Sequence, residues 1–232
     1  MSDFKGFSKD TFAYLRDLAE HNEREWFTAN RARYEAHYLE PALAFIETLG
    51  PRLIAEVSDE VRYDARVNGS LLRINRDVRF SPDKRPYKDH LDIWFWQGET
   101  KGWDTPGYYL RLEPQQWTVA AGMHHLPKET LDAFRTAVID PGEGAALDAA
   151  IAELDGSGLE LGGASRKSVP RGYDANHPRA AYLLHEGLFV LHYTPDLAEA
   201  QTPGFADTCL RYFKAARPLN DWLVKALRPG RR

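Results

Sequence analysis

The stretch Leu71-Leu72-Arg73-Ile74-Asn75-Arg76-Asp77-Val78-Arg79-Phe80 decides the fold. Before it, apolar residues recur at helical spacing; within it they alternate with polar ones. Leu72, Ile74, Val78 and Phe80 fall on one side and Arg73, Asn75, Asp77 and Arg79 on the other, the pattern of a half-buried strand. Arg76 lands on the apolar side and breaks the alternation. The change of period predicts a strand-rich stretch over 70–122, with further strands at Leu91–Trp96, Tyr108–Leu112 and Trp117–Ala121. Their short connections favour antiparallel neighbours.

Working outward, residues 8–57 read as helical. Ser8 is a candidate N-cap, followed by Phe12, Leu15, Leu18 and Ala19 at helical spacing. Asn22 with Glu25 resembles a capping box opening a second helix through Trp26, Phe27, Tyr34 and Tyr38. Pro41 is expected to break or restart it, and Gly50-Pro51 to interrupt it again. Beyond the strands, 127–154 is helical, and 156–176 is a loop whose Gly/Ser-rich part, 156–168, is expected to be mobile. A short helix at 177–185, a strand at 188–193 and a helix over 203–227, opened by Thr202-Pro203 with a kink at Pro218, complete the order. The tail 228–232 is expected to fray. Helices at both ends of a strand run, without regular strand–helix alternation, predict an α+β fold. Its central sheet would be largely antiparallel, flanked by N-terminal and C-terminal helices, in a single domain over 1–232.

Composition narrows the function classes. The 232 residues are 43% hydrophobic and 28% charged, enough apolar material for a sizeable core. The formal charge of −4 gives no global attraction to nucleic acid or to an anionic membrane, so a basic site must be local. One cysteine, Cys209, allows neither an intrachain disulfide nor a cysteine-built zinc site, and it falls on the apolar side of its helix. The first residues lack a basic region followed by an apolar stretch, and no long apolar run appears elsewhere. A cytoplasmic protein without a membrane span is the expectation.

Chemistry concentrates in residues 73–90, R-I-N-R-D-V-R-F-S-P-D-K-R-P-Y-K-D-H, which hold six basic residues against three acidic ones. On a strand, Arg73, Asp77 and Arg79 would share a face, about 6.6–7 Å apart per two-residue step. Asp77 between arginines can fix their guanidinium directions through bidentate hydrogen bonds. Pro82 and Pro86 would stiffen the loop carrying Lys84, Tyr87 and Lys88. Arg73, Arg76, Arg79, Lys84, Tyr87 and Lys88 are therefore the candidate anion-binding set, with Asp77 as orienting or catalytic carboxylate. The planar arginine fork suits a phosphate or carboxylate group. The alternative is an architectural brace, in which internal carboxylates and carbonyls engage every one of these cations.

This run also closely resembles the hallmark of an uncharacterised family of bacterial and fungal proteins, domain of unknown function 2461. N-E-R-E-W-F at 22–27, P-G-Y-Y-L at 106–110 and V-P-R-G-Y-D-A-N-H-P at 169–178 extend the resemblance over nearly the whole chain. Glu23 stands where a second asparagine is expected beside Asn22. The resemblance implies motif positions and no reaction.

Asp174, Asn176 and His177 form a second polar cluster. Asp174 and His177 are candidate catalytic groups for a general acid or base step, or ordinary caps of a helix opening at Pro178. His90 with Asp92 on one strand face, or His124 beside His125, would offer metal ligands, but no complete set is visible and no metal is assigned. Gly162-Gly163-Ala164-Ser165-Arg166-Lys167-Ser168 lacks the glycine before lysine that a phosphate loop needs. No cofactor motif appears. Trp94, Trp96, Trp103 and Trp117 read chiefly as core, with a stacking platform at Trp94 and Trp96 the alternative. The expected partner is an anionic small molecule, bound or, were the protein an enzyme, hydrolysed or transferred. A protein-interaction module, or nucleic-acid binding through Tyr87 and Trp94, are the rivals.

Overall fold

The computed structural model describes residues 3–99, 101, 102 and 105–228. Trp103 and residues 229–232 of the tail lie outside them. Helix α1 (Lys9–Glu20) starts at Ser8, whose hydroxyl accepts from the Thr11 amide at 3.3 Å. Phe12, Tyr14, Leu15 and Leu18 form its buried face. Next come α2 (Arg24–Ala29), α3 (Arg31–Tyr34), a π-helical turn over Glu35–Leu39, and α4 (Glu40–Glu56). Pro41 occupies the first turn of α4, where its missing N–H is no loss. Pro51 lies inside α4 and does not interrupt it. A proline inside a helix costs about 3 kcal/mol. Burying Ile46, Leu49 and Leu53 contributes about 1.5–3 kcal/mol each, so packing wins. Gly50 has its own reason: a Cβ there would lie 2.6 Å from the ring of Tyr63.

The strands are β1 (Val61–Arg62), β2 (Leu91–Gln97), β3 (Gly107–Leu112), β4 (Trp117–Met123), β5 (Glu160–Ala164) and β6 (His185–Thr194). They form an antiparallel sheet in the order β1-β2-β3-β4-β6-β5. Helices α5 (Lys128–Ile139) and α6 (Pro141–Ala152) precede β5; α7 (Leu197–Ala200) and α8 (Phe205–Leu227) follow β6. The fold is α+β.

Four local expectations are corrected. Residues 71–80 are not a regular strand: they make isolated bridges, Leu71 with Ile93 and Asn75 with Tyr87. The Arg76 amide donates to the Pro86 carbonyl at 2.9 Å and the Lys88 amide to the Ile74 carbonyl at 2.8 Å. Pro82 and Pro86 have no N–H to extend that ladder, so it stays two rungs long. The Gly-rich segment contains β5, whose Glu160, Leu161 and Gly162 pair with Leu191, Val190 and Phe189. A side chain at Gly162 would meet the Phe189 ring, and one at Gly163 (φ +102°) the Gly187 carbonyl; the glycines serve close approach. Over 177–185 there is only a 3₁₀ turn, Ala180–Leu184. Helix α8 opens at Phe205, because the Thr202 hydroxyl turns back to the Glu199 carbonyl at 2.9 Å; Pro218 lies within it.

The chain divides into two compact units. The first contains the segment ending at Phe95, Tyr109–Val119 and Tyr193–Arg211. Its core is aromatic: Phe7 lies 5.4 Å from Phe45, and Trp117 5.0 Å from Phe205, ring centre to ring centre. Cys209 is buried there, which pushes its thiol pKa well up, as expected of a packing residue. The second unit contains Trp96–Tyr108, Ala120–His192 and the segment from Tyr212 onward. It centres on Leu188, Val190, Tyr108 against Phe213 at 5.2 Å, and Phe134 against Trp222 at 6.0 Å. Among the described residues no helix is long and apolar enough to cross a membrane.

Candidate functional site

Asp92 is the second residue of β2, a strand in which every residue is buried. A carboxylate in such a place needs partners, and four converge on it. Tyr109 donates its phenol proton to Oδ1 at 2.5 Å, and the Arg111 Nε–H reaches the same oxygen at 2.9 Å. Lys88 Nζ approaches Oδ2 at 2.9 Å and His90 Nε2 lies 3.3 Å from it. Residues 109 and 111 share a face because side chains alternate along β3. Lys88 and His90 arrive on the chain just before β2.

The cluster's charges set its acid–base behaviour. Burial raises the pKa of the Asp92 carboxyl, but His90, Arg111 and Lys88 together outweigh it and hold it well below the usual carboxylate range. Burial and the neighbouring carboxylate push the Tyr109 phenol up, so it stays a proton donor. His90 also presents Nδ1 to Asp89 Oδ1 at 3.1 Å. Its two ring nitrogens thus span two carboxylates, Asp89 and Asp92. The Asp92 side chain is 4% exposed, whereas Lys88 is 23% and Arg111 36% exposed. The cations are open to solvent where their anion is not. Among the described residues only the Nε of Arg111 is hydrogen-bonded, leaving both Nη groups to an incoming acceptor.

The expected anion-binding residues are largely engaged within their own loop. Arg76 Nη1 pairs with Asp83 at 2.8 Å and donates to the Arg85 carbonyl at 3.0 Å, which is how an arginine on the apolar side finds partners. Arg79 grips Asp77 through Nε at 2.9 Å and Nη2 at 2.7 Å. These bonds lower the Asp77 carboxyl to about 2. Lys84 Nζ donates to the Val78 carbonyl at 3.0 Å. Tyr87 is buried and stacked on Phe27, ring centres 4.3 Å apart, so its ring forms no open wall. Arg73 is exposed and, among the described residues, makes no hydrogen bond; its charge helps lower Asp77. Of the expected set, Lys88 belongs to the Asp92 cluster. A line of alternating charge connects the regions: Arg85 holds Asp83 at 2.8 Å and Asp89 at 3.3 Å, and Asp89 faces His90.

Asn22 was expected to cap α2 and does not. Its side-chain amide donates to the Tyr87 carbonyl at 3.1 Å and its oxygen accepts from the Tyr87 amide at 3.0 Å, pinning the start of the Lys88–Asp92 segment. Asp174 and His177 lie in the second unit, and each side chain serves a backbone amide rather than the other. Asp174 accepts from the Asn176 amide at 2.8 Å and His177 Nδ1 from the Arg179 amide at 3.1 Å; no helix opens at Pro178 for either to cap. Trp94 and Trp96 are buried. Among the described residues no three His, Cys, Asp or Glu side chains are grouped to hold a metal ion.

Arg111 escaped the sequence reading, and Tyr109 entered it only inside the P-G-Y-Y-L motif, without a role. The signal available was Asp92 itself, a charge inside the apolar run L-D-I-W-F-W, which demands polar partners on a neighbouring strand. Residues 10–222 match the model of a family described as conserved hypothetical protein (DUF2461). No curated protein and no solved structure matches the chain.

Proposed function

Starting from the premise that the chain belongs to the conserved hypothetical protein family DUF2461, we propose that it binds an anionic small molecule, a phosphate or a carboxylate, at the cations around Asp92. The observation that carries this reading is the unequal exposure of the cluster. Asp92 is sealed in and orients Lys88 and Arg111, while both cations reach solvent and, among the described residues, the Nη pair of Arg111 has no hydrogen-bond partner. A guanidinium so held offers a planar, bidentate face to an oxyanion with little ordering left to do. Lys88 adds a point charge. Asp77, with Arg79 engaged beside it, has no part in this site.

The test is a titration of the protein with sodium phosphate and with sodium acetate at low ionic strength, followed by the side-chain NMR signals of Arg111 and His90. Saturable shifts of both signals are expected with at least one anion. Arg111→Lys keeps the charge and removes the fork, so affinity should fall about tenfold, or about 1.4 kcal/mol. Arg79→Ala should leave affinity unchanged. Absence of a saturable shift with both anions defeats the reading.

A further inference from the structure

The loop between the rungs at Asn75 and Tyr87 carries a feature that anion binding leaves unused. Phe80 is 93% exposed, far more than any other large apolar side chain among the described residues. It stands at the end of a tightly braced loop. Arg76 ties Asp83 and the Arg85 carbonyl, Lys84 ties the Val78 carbonyl, and Arg79 is locked on Asp77 with its guanidinium carbon 5.8 Å from the Phe80 ring centre. These bonds close the loop on itself on both sides of residue 80. The ring is left outside them, displayed by a segment with little freedom to fold it back.

We propose that loop 77–85 is a docking finger that seats Phe80 in an apolar socket on an acidic partner protein. Burying an aromatic anchor from a preorganised loop is how few residues come to dominate an interface. The partner's charge follows from what surrounds the ring. Over 73–85 the chain has five basic and two acidic residues, and Arg73, Arg79, Lys84 and Arg85 are exposed. A rim of carboxylates around the socket complements them. A nucleic acid fits less well. Asp77 and Asp83 stand among the cations, and Tyr87 and Trp94 are buried, which leaves one ring where strand binding uses successive stacking platforms.

The experiment places photoreactive benzoylphenylalanine at position 80 of the full chain in its native cells, with the same residue at exposed Tyr193 as control. The expected result is a discrete, nuclease-resistant adduct with an acidic protein, seen at 80 and not at 193. That protein is then purified and titrated against the chain. Phe80→Ala should weaken binding at least tenfold. Lys84→Glu should weaken it severalfold and flatten its salt dependence, and Phe80→Ala should leave the melting temperature unchanged. The proposal is overturned by no adduct beyond the control, by a nuclease-sensitive adduct, by an adduct with a second copy of this chain, or by equal affinity of Phe80→Ala. Phosphate and acetate titrations at Arg111 are unaffected by any of these outcomes.

Discussion

Asp92 on β2 and Asp77 on the loop each accept a guanidinium Nε–H at 2.9 Å, from Arg111 and Arg79 respectively. In that Nε bond the two pairs match, although Arg79 adds a second bond from Nη2 and Arg111 does not. They differ in their solvent: the Asp92 side chain is 4% exposed and the Asp77 side chain 44%. Around Asp77 water screens the charges and substitutes for either partner, so the pair fixes local shape and little else. Around Asp92 water reaches the cations but not the carboxylate, so the buried charge depends on its partners. A network's contact list therefore says less about its role than the exposure of its central carboxylate.

The contrast breaks most visibly at Asp92. Asp92→Ala removes the anion and leaves Lys88, Arg111 and the Tyr109 hydroxyl facing each other. Losing one partner of a buried pair costs about 3–5 kcal/mol. Chemical denaturation of the variant should show a loss of that size, with the anion-dependent NMR shifts abolished; a loss below about 1 kcal/mol would place Asp92 with the surface pairs. The pH dependence follows from the sign of the shift. The folded-state pKa of Asp92 is depressed, so its contribution is complete above the ordinary carboxylate value of 3.8 and is lost progressively as pH falls below it. The stability gap between the wild type and Asp92→Asn should accordingly narrow on going from pH 6 to pH 3. A gap that widens there would reverse the assignment.

Asn22 comes next. Asn22→Ala leaves the buried Tyr87 amide and carbonyl without their partners, at about 1–3 kcal/mol for an unsatisfied group. Hydrogen exchange at the Tyr87 amide should quicken markedly, while the amides of α1 keep their protection. Unchanged exchange at Tyr87 would mean that the Phe27 stack holds the loop alone.

These residues also mark the limit of what the sequence discloses. Strands β2, β3, β4 and β6 are legible because short apolar and aromatic runs bounded by turns are a local signal, and so is the cap at Ser8. Asn22 is not: its spacing to Glu25 imitates a capping box, whereas its partner lies 65 residues away. Residues 71–80 alternate like a strand, but the prolines downstream deny them a ladder. The candidate site was half visible. Lys88 and His90 belong to the basic run, while Tyr109 and Arg111 join them only through strand register, which one sequence does not reveal. Arg76 was rightly singled out as needing a partner, and that need is met inside the loop.

The smallest effect is expected at Arg79→Ala. Its partner Asp77 is exposed and held at a pKa of about 2 chiefly by the hydrogen bonds from Arg79, so the substitution returns that carboxyl toward 3.8. Near neutral pH the group is ionised either way, and the melting temperature should stay within error of wild type. What changes is the order of the loop tip: without the Nε and Nη2 bonds the backbone from 77 to 80 loses its inner tie, and the NMR order parameters of Arg79 and Phe80 should fall. A drop in stability comparable to that of Asn22→Ala would mean that the exposed pairs carry folding energy after all, and the distinction between the two networks would reduce to one of degree.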